Sequence, residues 1–406
     1  MGELDRIIHE AASLHDAGRY EEAMALYSRA ITLYPGISIV WNNRGNTLLE
    51  MNLHEEAARS YQRALSLSPD LYESRVALAS CLQALGQYKA ALECCDMVLE
   101  IAPEHAEAHW NRALLLLLAG DYSEGFSEYE WRWKKRRFTS PFRDFEQPLW
   151  RGEPLSGKTI LIHAEQGFGD TIQFCRYLPI LVTQGAMVLF ECHQPLLKLM
   201  STLGEGIKAV PMGHPIPHFD FHLPLLSLPH LFKTTLENLP ASIPYLKAPP
   251  ERLPFWHSVL SAEKRIKAGI CRAGKSYPDP GRSIPFEALY PLAGCREVAF
   301  VSLQIDGEVG KSCLSVIELA MLVQDFADTA AIIEQLDLVI TIDTAVAHLA
   351  GALGKKTWLL LPFAPDWRWG LERHDSPWYP TMRLFRQKQA GDWVAVVREV
   401  AEALSG

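Results

Sequence analysis

The first third of the chain places apolar residues at helical spacing, and the pattern returns every 34 residues. Pro35, Pro69 and Pro103 stand 34 apart, and the positions around them keep step. Small residues recur at Ala11, Gly45, Ala79 and Ala113, and again at Ala23, Ala57, Ala91 and Gly125. Gly18, Asn52, Gly86 and Gly120 mark one turn of each unit, followed by Tyr20, His54, Tyr88 and Tyr122. Small residues let two antiparallel helices approach closely, Gly or Asn takes the left-handed turn between them, and Pro ends the second helix. The spacing predicts four helix pairs over residues 3–138. The fourth ends in Trp131-Arg132-Trp133-Lys134-Lys135-Arg136-Arg137 with no closing proline, which predicts docking onto the neighbouring domain instead of a fifth pair.

Past the proline- and aromatic-rich stretch Pro141 to Pro154 the helical period gives way to short apolar runs alternating with helices. Strands are predicted at Lys158–Ala164, Met187–Cys192, Ile266–Arg272, Val298–Gln304, Asp337–Asp343 and Lys356–Leu361. Helices are predicted from the Glu165–Asp170 loop to about Thr183, over Thr329–Leu336 and over Ala345–Leu353. Gly213–Leu239, with Pro215, Pro217, Pro224 and Pro229, reads as loop-rich. Such alternation argues for parallel, doubly wound sheets, with ligands at the carboxyl ends of their strands. The length from 139 to 406 suits two such domains better than one. The expected layout is a helical array over 3–138, a linker or docking segment over 139–157, and α/β lobes over 158–250 and 251–406.

Composition narrows the class. The 406 residues are 48% hydrophobic and 21% charged, a globular balance. A net charge of −9, with no basic tract longer than Lys134–Arg137, argues against a nucleic-acid partner. The longest apolar run, Ala113–Ala119, is far short of the ~20 residues a spanning helix needs, and Met1–Arg6 lacks the layout of a leader. Eight cysteines without C-x-x-C spacing suit neither a disulfide framework nor a zinc site. The expectation is a reduced, cytoplasmic protein without membrane insertion.

The sharpest chemical signal is Asp337-Leu338-Val339-Ile340-Thr341-Ile342-Asp343-Thr344-Ala345, a buried strand running into a helix, with His348 one turn on. Free N–H groups and the positive end of the helix dipole make such a junction an anion site. An Asp or Thr N-cap with a packed histidine explains the same residues. His214, His218, Asp220 and His222 suggest metal ligands, but prolines hold that stretch extended with alternating side chains, so no metal site is expected. Trp131, Trp133, Trp150, Trp367, Trp369 and Trp378 either stack on a ligand or pack between domains.

The 34-residue units resemble the tetratricopeptide repeat (TPR), with Arg44, Arg112 and Arg132 departing from its pattern. The resemblance implies a concave face lined by first helices. Trp41, Asn42, Asn43, Asn46 and Arg75 lie there, and either hold the extended backbone of a partner or stand solvated. The array otherwise braces or dimerises the neighbouring domain. Asp343-Thr344-Ala345-Val346-Ala347-His348-Leu349-Ala350-Gly351 resembles the donor-phosphate motif of family 9, heptosyltransferase-type glycosyltransferases. Leu361–Trp369 and Asp375–Pro380 resemble the bacterial subgroup that joins TPRs to that module. The similarity spans about residues 145–400. It implies a GT-B pair of Rossmann-like lobes that transfers sugar, with inversion, from a nucleotide-diphosphate donor to a protein or glycan acceptor, without metal or other cofactor.

On that resemblance Asp343, Thr344, Ala345 and His348 receive the diphosphate. Arg282 supplies a cation, with Lys275 a second in a loop, Cys271–Lys275, that departs from the subgroup's Trp-x-Gly-Asn-Pro. Gln304, Asp306 and Glu308 meet the ribose, and Phe326 or Asp325 the base. Gln166, Gly167, Phe168 and Gly169 face the acceptor, and Asp170 takes its proton, although a helix N-terminus weakens an aspartate as base. The competing readings are, from a different class, a catalytically degenerate scaffold that works through its repeats and keeps only nucleotide binding or none, and another GT-B enzyme such as a nucleotide-sugar epimerase.

Overall fold

The computed structural model describes residues 2–136, 138–275, 280–305 and 314–405. The chain divides into two units, Met1–Phe138 and Thr139–Gly406.

The first unit consists of antiparallel helix pairs: α1 (Glu3–Asp16) with α2 (Tyr20–Leu33), α3 (Ser38–Glu50) with α4 (His54–Leu67), α5 (Tyr72–Ala84) with α6 (Tyr88–Ile101), and α7 (Ala106–Ala119) with α8 (Tyr122–Tyr129). Gly18, Asn52, Gly86 and Gly120 adopt positive φ of 74°, 59°, 75° and 89° between the partners. The Tyr61 ring lies where a side chain on Gly45 would be, with a Cβ there only 2.7 Å from Tyr61 Cε1. The repeat also carries a polar period. Trp41 Nε1 donates to the Pro35 carbonyl (3.0 Å), Arg75 Nη2 to that of Pro69 (2.9 Å), and His109 Nε2 approaches that of Pro103 (2.7 Å).

The asparagines are also engaged inside the array. Asn42 accepts from Ser74 (2.7 Å) and donates to Asn43 (3.0 Å), and Asn46 accepts from the Tyr61 hydroxyl (2.8 Å). The arginines that break the repeat pattern have local partners. Arg44 meets Ser60 Oγ, Arg112 meets Asp96, Glu124 and Glu128, and buried Arg132 meets Glu130. Trp131 stacks on His109 at 3.8 Å, and Trp133 packs edge-on to Phe138, so both tryptophans serve the array itself.

The second unit holds two wholly parallel sheets. The first contains β1 (Thr159–His163), β2 (Met187–Cys192), β3 (Ile207–Pro211) and β4 (Phe221–Pro224) in the order β3-β2-β1-β4. The second contains β5 (Ile266–Cys271), β6 (Val298–Ser302), β7 (Val316–Ile317), β8 (Leu338–Ile342), β9 (Thr357–Leu361) and β10 (Met382–Arg386) in the order β10-β9-β8-β5-β6-β7. Residues 139–157 lie against the first sheet: Arg143 pairs with buried Glu191, Phe145 packs on His163 and His222, and Trp150 N donates to the His222 carbonyl. β4 falls inside the segment read from sequence as loop-rich. His214 and His218 are exposed, Asp220 pairs with Lys158 (3.1 Å), and His222 is buried, so these side chains do not converge. No helix among the described residues is long and apolar enough to cross a membrane.

Replacing Gly45 by alanine is expected to destabilise the array by about 1–3 kcal/mol, the usual penalty for overpacking, despite the better helix propensity of alanine. Tyr61 cannot swing away without losing its bond to Asn46. A urea titration monitored by helical circular dichroism checks this, and an unchanged midpoint would show that Tyr61 moves freely.

Candidate functional site

The loop after β1 sets the first wall of the site. Gln166 sits at φ 60°, a left-handed conformation that costs a side-chain-bearing residue about 1–2 kcal/mol, and its N–H is held by Ser140 Oγ at 2.8 Å. Gly167 then caps helix α9 (Phe168–Phe174), with Asp170 Oδ2 accepting the Gly167 N–H at 3.0 Å. Gly169 faces the opposite sheet. A Cβ there would lie 2.8 Å from His348 Cδ2 and 3.6 Å from Ala345 Cα. The predicted acceptor loop and the predicted donor helix are thus packed together, and the space at Gly169 is taken by His348.

The second wall starts where β8 ends. Thr344 is the N-cap of the helix Ala345–Ala352, yet its side chain does not cap it, leaving the first-turn N–H groups free of a side-chain partner. Gly274 lies between this cap and Arg282: a Cβ on it would be 3.1 Å from Thr344 Cγ2 and 3.3 Å from Arg282 Nε. Arg282 Nη2 donates to the Lys275 carbonyl at 2.9 Å, while its Nε is buried without a partner. Gln304 is buried and accepts from Ala273 N at 3.1 Å, so it shapes this loop. Asp306 and Glu308 lie outside the described residues. Phe326 packs edge-on to Phe168 at 5.2 Å. Asp325 caps the helix Phe326–Glu334 and pairs with Lys198 and Arg252.

Between the walls lies a charged centre that the sequence pattern does not reveal. Arg368 is buried, and its guanidinium meets Asp170 Oδ1, Gln173 Oε1 and Asp366 Oδ1, the last at 2.9 Å. Asp170 therefore has both oxygens engaged. Arg176 runs the opposite way, donating to the Trp378 carbonyl (2.9 Å), the Pro240 carbonyl (3.1 Å) and the Tyr245 hydroxyl (3.0 Å). Trp367, Trp369 and Trp378 are buried around these two arginines, beside Phe174 and Tyr379.

Burial, with Arg368 and Arg176 nearby, pushes His348 well below its ordinary value, so its ring is neutral. Its Nδ1 lies 2.9 Å from the Tyr379 hydroxyl, and its Nε2, at 3.8 Å from Asp343, makes no hydrogen bond to it. His348 consequently brings no positive charge to a phosphate. Asp343, with 17% of its side chain exposed, is raised to about 7 by burial and by the neighbouring Asp366 carboxylate, against the pull of Trp369, Arg368 and Arg282. Buried N–H groups without partners flank this centre at Arg282 Nε and Gln173 Nε2. Donors of that kind, beside a protonatable carboxyl, suit an anion.

Residues 10–37 and 48–118 match tetratricopeptide repeat models, so the first unit carries these repeats. Protein FlbA of Caulobacter vibrioides is 27% identical over an alignment that covers 97% of this chain and 71% of that protein. Among solved structures, YrrB, described as a TPR protein with an unusual peptide-binding site, is 23% identical, with 31% of this chain and 64% of that chain covered and a TM-score of 0.29. The present chain thus spans just under two thirds of YrrB. MamA from Desulfovibrio magneticus RS-1 is 19% identical, with 32% of this chain and 75% of that one covered and a TM-score of 0.31.

The state of Asp343 sets a pH dependence. Its folded value is about 7, whereas an unfolded aspartate titrates near ~3.9, so the native state binds the extra proton between these limits. The stability this carboxyl contributes is fully present below about pH 4 and is lost as pH rises through about 7. Asp343→Asn cannot titrate, so its melting temperature should gain on wild type across that window and hold its lead above it. A difference that does not vary with pH would mean that Asp343 titrates alike in both states.

Proposed function

We propose that this chain is an inverting glycosyltransferase of the GT-B type, using a nucleotide-diphosphate sugar, and that its TPR array recruits a protein or glycan acceptor. The observation that carries this reading is the meeting of Thr344, the N-cap of the helix that begins at Ala345, with Arg282 around Gly274 at the carboxyl edge of the six-stranded sheet, next to Lys275 in the chain. An uncapped helix start supplies N–H donors, and a guanidinium binds two phosphate oxygens at once. Below about pH 7 Asp343 is protonated and adds a donor instead of a repelling charge. Arg282 and Lys275 neutralise the departing diphosphate, the task a divalent cation performs elsewhere. Tetratricopeptide repeats support a protein partner; with the asparagines of α3 bonded inside the array, recognition falls to other side chains of that unit.

A second reading, a scaffold without turnover, draws on two observations: His348 fills the gap at Gly169, and Asp170 is closed by Arg368. Nucleotide binding separates the transferase from a scaffold that has lost the nucleotide site. With UDP, GDP, ADP and CMP sugars, a ligand at 100 times its Kd should stabilise the protein by about 2.7 kcal/mol. Arg282→Ala should weaken that binding about ten- to a hundredfold, the loss of a charge-assisted bond worth about 1.5–3 kcal/mol, with little change in unliganded stability. Absence of a thermal shift with every nucleotide leaves the scaffold reading.

A further inference from the structure

An inverting transfer needs a group that accepts the attacking hydroxyl's proton. Asp170 is poorly available for this, since Oδ2 holds the Gly167 N–H and Oδ1 holds Arg368. The same rim carries a second titratable side chain. His193 is the first residue after β2, at the carboxyl edge of the four-stranded sheet. Its half-buried ring lies edge-on to Phe168, with centroids 5.1 Å apart, and its Nδ1 is 3.3 Å from Thr171 Oγ1. Thr171 directs its own hydrogen to the Gly167 carbonyl at 3.1 Å. In the tautomer that matches this acceptor, Nδ1 carries the imidazole hydrogen and Nε2 keeps the lone pair.

Resting on the glycosyltransferase reading above, we propose that His193 is the proton acceptor of the transfer and that Asp170 is a positioning residue. In the reaction the acceptor O–H bond breaks and its proton passes to His193 Nε2. The oxygen's electron pair forms the bond to the anomeric carbon. The bond from that carbon to the phosphate oxygen breaks, and its electrons leave on the nucleoside diphosphate beside Arg282 and Lys275. The imidazolium then returns its proton to solvent.

The charged groups facing His193 are Asp170, from the helix after β1, and Lys275, from the loop after β5. Burial lowers the ring below its ordinary value and Lys275 adds to this, while the Gln166 carbonyl and Asp170 act in the opposite direction. The free ring is therefore neutral at pH 7, the state a base requires. A bound diphosphate that neutralises Lys275 raises its basicity when the donor is in place. Asp170 stabilises the imidazolium that results. In this arrangement the donor prepares the base for the acceptor.

The test uses the full chain and follows release of nucleoside diphosphate from UDP-, GDP- and ADP-linked sugars with water as acceptor, while calorimetry follows binding of UDP, GDP and ADP. His193→Gln should bind nucleotide as wild type does and lose about 10²- to 10⁴-fold in turnover, the contribution of a positioned base. Asp170→Asn should lose less, and the acid limb of its pH profile should move to lower pH, a displacement that a purely structural role would not produce. Turnover by His193→Gln within a few fold of wild type overturns the assignment. So does an Asp170→Asn variant as inactive as His193→Gln, which returns the proton to Asp170. A wild-type protein that binds nucleotide yet releases sugar from no donor overturns the base while the nucleotide site stands. A wild type that binds no nucleotide overturns the glycosyltransferase reading, and this inference with it.

Discussion

The contact of Arg368 with Asp170, Gln173 and Asp366 is the constraint on which the second unit's centre depends. A guanidinium withdrawn from water costs several kcal/mol unless its hydrogens meet acceptors, and here two carboxylates and an amide oxygen meet them. For that to happen, α9 must present its first turn to the six-stranded half. Gly169 permits the approach because it has no Cβ to strike His348. The left-handed Gln166, bonded to Ser140, aims the helix. Arg176 secures the same junction from the other side without a carboxylate, using carbonyls, a tyrosine hydroxyl and the faces of Tyr245, Tyr379 and Trp378.

That junction also decides the electrostatics of the site. Asp170, Asp343 and Asp366 stand near one deeply buried cation, Arg368, and one of them, Asp343, is raised to about 7, so that it relieves the crowding by keeping its proton below that pH. Arg282 stands beside the uncapped helix with no carboxylate bonded to it among the described residues. The inner cation is thus balanced by protein, whereas the outer one is not. His348 falls on the inner side: neutral, bonded to Tyr379 and stacked on Trp369, it supports the helix and does not serve as a phosphate cation.

Much of the fold was legible because its signals are local. The 34-residue period rests on small residues wherever helices touch, and Gly45 beneath Tyr61 shows the contact that requires them. Strands buried on both faces, such as β6, β8 and β9, read as apolar runs. β4 was hidden by its brevity and its flanking prolines, and β10 by the two arginines, Arg383 and Arg386, of a short edge strand. In the site, Thr344 and Ala345 were legible because a strand, a loop and a helix adjoin in sequence. Arg368 was not, because 198 residues separate it from Asp170 and an arginine between two tryptophans carries no local sign of its partner. The concave-face asparagines misled for a related reason: composition shows an amide but not that Ser74 and Tyr61 already occupy it.

Both units bury arginines, and the difference between those with and without full partners points to where a ligand belongs. Arg132 in the repeats has Glu130 and the Tyr129 carbonyl, Arg176 has four oxygens and three rings, and Arg368 has three side-chain acceptors. These hold structure together. Arg282 has one carbonyl and a buried Nε with nothing to bond, while Gln173 Nε2 is likewise a buried donor without an acceptor. A protein does not gain from leaving such donors dry, since each unmade bond costs about 1–3 kcal/mol. In the function we propose, the Arg282 Nε and the uncapped helix start meet an anion that brings its own oxygens. A diphosphate supplies enough of them to meet Arg282 and the first-turn N–H groups together, which a single carboxylate does not.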